Sequence, residues 1–465
     1  MSSTSIDKKV LIKWVIVIGL SLIPFAFAIS DTYSVQLQRF LFITIFAVAV
    51  LAFELLEPIA VAIILPVFWI LSGTTTFAVA FSPYGTSSIW IAIGAMAFVM
   101  MIQDTGILTR LGYYIFVKVK GSFSKAMFAL YIACLLVSFV SMAQAQMLCF
   151  ALAYALWSTL GLKPTDRETM VLVLVTILGA IQAAVFLYCP MSVAIMNGST
   201  QAIIPGFNLT LSEVMWYNMP VFFVSLFMIW LSLLWYKRGP KNENLATENS
   251  YVYFKNEYDK LGKIKPAEIK ALLLVMFVVL TVLTQSIHGL EAVYAFLIAL
   301  ILGFLPGINI GKTAVIKKVP WDAIILAGSF MAIGSVGGSL GLNQIITAVC
   351  VPIVSALGEY WSVLGTTVMG TLSNFILSPF AMMAVLPAPI AQYCTAVGFD
   401  PVVHIMALYN AKDIVFFPYE YPAYLLLFSF GMISMNNFTK VCTFKAIVSL
   451  IAVVVILMPW WSIVI

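Results

Sequence analysis

Charge is what this sequence lacks most. Only 9% of its 465 residues are Asp, Glu, Lys or Arg, while 63% are hydrophobic. A water-soluble domain carries roughly 25% charged residues, so too few are present to clothe a water-facing surface. Histidine is equally scarce. His288 and His404 are the whole supply, which removes haem and multi-histidine metal sites from consideration. The six cysteines, Cys134, Cys149, Cys189, Cys350, Cys394 and Cys442, form no CxxC pair. That argues against a zinc site or a disulfide framework, and in apolar surroundings they read as small packing residues. No P-loop and no HExxH pair is present. An ATP-driven pump is therefore excluded on this chain, and an enzyme is not expected.

What the sequence has is apolar length. Its apolar runs extend over about 17 to 22 residues, enough to cross a hydrocarbon core of about 30 Å. The expected fold class is an all-α polytopic membrane protein. Spans are expected at 10–29, 40–56, 58–72, 88–103, 168–197, 219–236, 269–286, 290–305, 321–340, 402–435 and 443–461. Two further apolar regions, 125–160 and 361–396, carry polar residues at their middles. Each reads as a re-entrant hairpin that enters and leaves on one side, which leaves about eleven crossings. Lys8, Lys9 and Lys13 precede the first run, which ends in Ala26-Phe27-Ala28 like a cleavage site. Its length of about twenty residues favours an uncleaved first helix instead.

The net charge of +5 reports topology, not nucleic-acid binding. Lys237, Arg238, Lys241, Lys255, Lys260, Lys263, Lys265 and Lys270 crowd one stretch. Lys312, Lys317 and Lys318 crowd another, Lys118, Lys120 and Lys125 flank the first hairpin, and Lys440 and Lys445 read as preceding the last helix. The loops 200–218, 284–291 and 396–401 carry no Lys or Arg. Eleven crossings put every basic cluster on one face. The N-terminus is then cytoplasmic and the C-terminus outside, in a cell (inner) membrane.

The chain also reads as a repeat. Trp90 to Gly112 and Trp321 to Gly341 are apolar helices ending in glycine-containing turns. Each precedes a polar-centred hairpin, at Ser141-Met142-Ala143-Gln144 and at Leu372-Ser373-Asn374-Phe375. Each hairpin precedes a helix broken at proline, at Tyr188-Cys189-Pro190 and at Glu420-Tyr421-Pro422. Met142 and Pro190 are 48 residues apart, Ser373 and Pro422 are 49. An odd number of crossings per half makes the second copy inverted. The expected parts are scaffold helices at 1–124, a first hairpin with broken helix at 125–236, and a cytoplasmic linker at 237–268. More scaffold follows at 269–360, then a second hairpin with broken helix and last helix at 361–465.

Irregular backbone at membrane depth survives only where protein or a water-filled cavity covers it. Two hairpin tips and two helix breaks therefore point to one solute site. A helix that restarts exposes unpaired N–H groups and the positive end of its dipole, and Pro190 and Pro422 suit such first-turn positions. Converging half-helix starts bind anions without any arginine. The expected partner is a small organic anion. Ser373, Asn374, Phe375, Met142, Ala143, Gln144, Pro190, Tyr421 and Pro422 are the candidate binding residues. Lys412, Asp413 and Glu420 are charges inside the span 402–435. Such charges are costly and face a cavity or a partner. Two readings stand for them: charge compensation or proton coupling at the site, and structural ion pairs with other helices. For Gln144, Gln146 and Gln182, binding and interhelical bonding are both open. Ser138 and Ser378 read as bonding backbone. Asp104, Arg110, Glu54 and Glu57 read as solvated ends, Trp157, Trp460 and Trp461 as interfacial belt, and His404 as structural.

The order of hairpin, broken helix, linker, hairpin and broken helix resembles the divalent anion/sodium symporter family, carriers of di- and tricarboxylates. The resemblance covers nearly the whole chain. That family places Ser-Asn-Thr at each tip. The second tip here, Ser373-Asn374-Phe375, keeps two of the three, and the first, Met142-Ala143-Gln144, keeps none. The resemblance implies the fold, a homodimer and an elevator-type mechanism. It leaves the coupling ion, sodium or proton, open, with a degenerate sodium site near Ser373 and Asn374; no other cofactor or metal is expected. A less charged or inorganic solute remains the alternative: a taurine-like sulfonate, a monocarboxylate, arsenite, or cation/proton exchange.

Reporter fusions test the topology. A fusion inside 237–270 and one after Ile465 are expected to report opposite sides of the membrane; the same side for both defeats the eleven-crossing arrangement.

Overall fold

A computed structural model describes the chain except for residues 1–7, 31–32, 54, 120–121, 143–144, 188, 240–246, 376, 378 and 418–419. Glu54, Lys120, Ala143, Gln144, Tyr188, Lys241 and Ser378 thus lie outside the described residues, as do the side chains of Cys350 and Pro422. The described residues fold almost wholly as helix, with no strand among them.

Six helical stretches are long and apolar enough to cross a bilayer: Phe123–Val140, Arg167–Gln201, Met219–Lys237, Pro266–Leu283, Pro379–Val397 and Met435–Val464. Ser87–Gln103 and Ile107–Lys118 pass the same test as a pair bent by 61°. Shorter apolar helices such as Val35–Val50, Ile59–Leu71 and Ala292–Phe304 occupy other expected spans. The chain is a multi-pass membrane protein. Several helices start on proline, at Pro58, Pro266, Pro387, Pro401 and Pro422. A first-turn proline lacks only an N–H that has no partner inside the helix anyway.

The element order repeats. Ser87–Gln103 leads through left-handed Gly106 (φ 86°) into Ile107–Lys118, and Trp321–Ser339 leads through left-handed Gly341 (φ 84°) into Leu342–Ser373. Only glycine takes that φ at no steric cost. Hairpin arms follow: Phe123–Val140 with Gln146–Thr159, and the part of Leu342–Ser373 beyond its kink at Gly358 with Pro379–Val385 and Pro387–Val397. Then come the broken helices. Arg167–Ala180 and Ala183–Phe186 restart as Pro190–Gln201, and Pro401–Ala411 restarts as Pro422–Ser429.

The chain forms two compact units. The first comprises Met1–Trp90, Ala194–Asn208 and Pro320–Lys412. Its centre is Trp321–Ser339, packed on Pro58–Leu71, Val35–Ala52 and Pro379–Val385. Gly328 and Gly337 let this helix approach its neighbours: a Cβ there would meet the Tyr84 ring at 2.5 Å and Leu342 at 2.9 Å. The Tyr84 hydroxyl donates to the Ile325 carbonyl at 2.7 Å. The second hairpin is laced by hydroxyls. Thr366 and Tyr393 join its arms at 2.7 Å, and the Ser362 hydroxyl meets His404 Nε2 at 2.8 Å.

The second unit comprises Ile91–Val193, Leu209–Val319 and Asp413–Ile465. Its centre is Arg167–Ala180, in which every residue from Val171 to Ala180 is buried. A helix apolar on all sides must be wrapped on all sides. Here the wrapping is Phe123–Val140, Gln146–Thr159, Met219–Lys237 and Met435–Ala452. The Ser138 hydroxyl donates to the Gly179 carbonyl at 3.0 Å where the first hairpin touches this helix.

Three expectations need correction. Arg110 is not a solvated end: it is 6% exposed, and its Nε donates to Glu268 Oε2 at 2.8 Å. It also donates to the carbonyls of Leu261, Gly262 and Lys263. The polar stretch 237–270 is more than a linker. It contains the helix Thr247–Lys260, docked through fully buried Phe254, which stacks on Phe116 at 4.0 Å. Trp461 is no belt residue, being fully buried with its indole N–H on the Tyr217 carbonyl at 3.0 Å. Residues scattered along the chain supply these partners, so no local pattern announced them.

Close helix packing at glycine gives a direct test. A Cβ on Gly179 would lie 2.8 Å from Cys134 Cβ, whereas Gly365 has open space. Gly179→Ala is expected to destabilise the purified protein by about 1 to 3 kcal/mol through overpacking, and Gly365→Ala by less than about 0.5 kcal/mol. Equal melting temperatures for the two variants would show that the helices do not meet there.

Candidate functional site

The second break shows what an interrupted helix needs. Pro401–Ala411 stops, residues 412–417 run without regular helix, and Pro422 starts the next helix. A helix end leaves carbonyls without partners and a helix start leaves N–H groups. In the first unit, the Asn374 side-chain amide donates to the Ala411 carbonyl at 2.8 Å. In the second, Lys445 Nζ donates to the Asp413 carbonyl at 2.6 Å and to Asp413 Oδ2 at 2.8 Å. The Glu420 carboxylate accepts from the backbone N–H of Phe417 at 2.9 Å and of Phe416 at 3.3 Å.

Lys412 and Asp413 are sequence neighbours with different surroundings. The Lys412 ammonium lies 3.5 Å from the centroid of the Tyr409 ring, and the residue is 4% exposed. That contact stabilises the ammonium without cancelling its charge. Asp413 is paired with Lys445 and accepts from the Tyr424 hydroxyl at 3.4 Å. Lys445 is the buried partner that the sequence reading missed. It does not precede the last helix but sits inside Met435–Ala452, with no exposed surface. The available signal was its place just inside the expected span 443–461, as Lys412 lies inside the span 402–435.

The second unit also brings the first hairpin and the first break to this place. Met142 occupies the first tip in the left-handed region (φ 52°) and is buried. That conformation costs a side-chain-bearing residue about 1 to 2 kcal/mol. The Ser141 hydroxyl accepts the Ala145 N–H at 3.1 Å and closes the turn. Gln146 opens the return arm, and its side chain, Cys189 and Asp413 are near Tyr421. The Tyr421 and Tyr424 ring centroids are 5.8 Å apart. Pro190 is buried where the first broken helix restarts. Cys189, Asp413, Tyr421, Tyr424 and Lys445 therefore form one buried cluster, with half-buried Gln146 at its edge.

The remaining candidates lie in the first unit or point elsewhere. Ser373 is half-buried and donates to the Gly370 carbonyl of its own helix at 2.7 Å. Phe375 lines an apolar groove of about 480 Å³ with Leu20, Ile23, Thr44 and Phe53. Gln182 accepts from the Ser225 hydroxyl at 3.2 Å, which is interhelical bonding. The string Gly337-Gly338-Ser339-Leu340-Gly341 resembles a nucleophile elbow in letters only. It ends a helix, and Ser339 donates to the Val336 carbonyl at 2.7 Å, whereas an elbow joins a strand to a helix.

A family model described as citrate transporter, CitMHS, matches residues 48–411. No curated protein matches in sequence. Among solved structures the fold is similar to the YdaH transporter of Alcanivorax borkumensis, described as having an unusual topology. The identity is 16% and the TM-score 0.56, over 82% of this chain and 86% of that one. It is also similar to MtrF of Neisseria gonorrhoeae, described within a class of antimetabolite efflux pumps. There the identity is 14% and the TM-score 0.55, over 82% and 81%. At such identities the likeness is one of fold. The fold expected from the resemblance to divalent anion symporters is the one this chain has.

The buried pair can be tested by a double-mutant cycle. Asp413→Asn or Lys445→Met alone leaves one charge buried without its partner, an expected loss of about 3 to 5 kcal/mol. The double variant should recover much of that loss. Strictly additive unfolding free energies in detergent would show that the two side chains are not coupled.

Proposed function

This chain belongs to the citrate transporter family, and we propose that it carries di- or tricarboxylates across the cell (inner) membrane. It is a secondary transporter of anions; the finer reading rests on the site. One observation carries it: two helices inside the membrane protein stop and restart, at Pro190 and at Pro422. Each restart presents first-turn N–H groups and the positive end of a dipole, which favour a carboxylate. Lys412 adds a buried cation beside the second break. The Asp413 charge is taken up by Lys445, and that of Glu420 by backbone N–H groups. These contacts favour structural roles for Asp413 and Glu420, and the charge-compensation reading for Lys412 rests on its burial beside the break.

The proposed mechanism is alternating access of the elevator type in a homodimer, with hairpins and broken helices moving against the remaining helices. The proposed mode is exchange, because a fixed lysine neutralises an anion but cannot leave with it. A second reading, a solute of lower charge, is favoured by the carboxylate that Glu420 buries at the same break.

Counterflow in proteoliposomes tests the proposal. Citrate and succinate are expected to exchange equally in sodium and in potassium. Lys412→Ala is expected to lower exchange roughly tenfold or more, the equivalent of losing about 1.4 kcal/mol of anion stabilisation. Saturable, strict dependence on sodium sinks the coupling reading. Exchange of a monocarboxylate or taurine in preference to citrate and succinate replaces the first solute reading with the second.

A further inference from the structure

On the same helices as the polar cluster, with Phe444 next to Lys445 in sequence, the second unit has a groove of about 580 Å³. It runs between the first turns of Arg167–Ala180, the last turns of Met219–Lys237 and the first turns of Met435–Ala452. Most of its wall is apolar, including Val171, Leu174, Leu231 and Phe444. One end differs. Arg238 and Lys440 line it there, both exposed, and Lys237 adjoins them. Two tryptophans, Trp230 and Trp235, stand at this end, 53% and 43% exposed. The Trp235 ring is held by the Arg167 guanidinium, which stacks at 3.9 Å and donates to the Trp235 carbonyl at 2.8 Å. The nearby acids do not answer these cations. Asp166 accepts the Lys163 N–H at 2.8 Å, and Glu168 is buried, with no ion pair to Arg238 or Lys440 among the described residues.

We propose that this groove binds one anionic phospholipid, with its phosphate between Arg238 and Lys440 and an acyl chain along Val171, Leu174 and Phe444. Charge complementarity selects this occupant. The basic clusters lie on the proposed cytoplasmic face, where anionic headgroups gather and each cation adds attraction. Exposed indoles favour the headgroup level. A free anion would leave the apolar wall unfilled. A second copy of the chain would bring the same cations to the same rim. The inference does not depend on which solute is carried.

The test uses the full chain in detergent, with dissociation constants for phosphatidylglycerol and phosphatidylcholine of identical acyl chains from native mass spectrometry. The wild type is expected to bind phosphatidylglycerol roughly tenfold tighter or more, from two added cationic contacts. Arg238→Gln with Lys440→Gln should erase that preference. Lys312→Gln with Lys317→Gln, which removes the same charge elsewhere, should keep it. Equal affinity for the two lipids in the wild type overturns the proposal, as does a preference that survives Arg238→Gln with Lys440→Gln. Glycerol phosphate competing as well as the whole lipid overturns it too, because the acyl chain would then contribute nothing. Cross-links between Trp230 positions of two copies that persist at saturating lipid would assign the groove to a dimer face instead.

Discussion

A helix cannot simply stop inside an apolar slab. Its last carbonyls and the next helix's first N–H groups need partners, and hydrocarbon supplies none. The polar chemistry around the second break follows from this requirement. Asn374 serves the Ala411 carbonyl, Lys445 the Asp413 carbonyl, and Glu420 the N–H groups of Phe416 and Phe417. In a chain with only 9% charged residues, three of the buried ones, Asp413, Glu420 and Lys445, are spent on one interruption.

Two buried ion pairs show the same logic at different places. Lys445 and Asp413 are 32 residues apart, Arg110 and Glu268 are 158 apart. Burying such pairs is expensive, and removing one partner is worse than replacing both. The Arg110 pair fixes a joint: the same guanidinium takes three carbonyls just beyond Thr247–Lys260 and ties that helix to the bundle. The Lys445 pair fixes the break itself. Lys412 is buried against the Tyr409 ring at the end of Pro401–Ala411.

Much of the architecture was legible in one sequence because the relevant signals are local. Apolar runs give spans, interrupted runs give hairpins, and a proline after a short polar gap gives a restarting helix. The spacings of 48 and 49 residues revealed the repeat before any geometry. The same local reading failed for Lys445. With the last span expected to begin at 443, a lysine at 445 looked like its solvated flank. The helix starts at Met435, so Lys445 lies well inside it. Helix starts are the weakest part of any pattern reading, and an error of two turns moved one charge from water to core. Arg110 and Trp461 failed for a related reason: their partners, Glu268 and Tyr217, are remote in sequence.

Hydropathy, interruption and repeat thus determined a polytopic helical fold with two hairpins and two broken helices, because membrane insertion is governed by the composition of contiguous segments. Which polar groups serve which helix ends was decided only by tertiary structure. A buried amide, ammonium or carboxylate is satisfied by whatever lies within about 3 Å of it, and for Asn374, Lys445 and Arg110 that partner lies far along the chain.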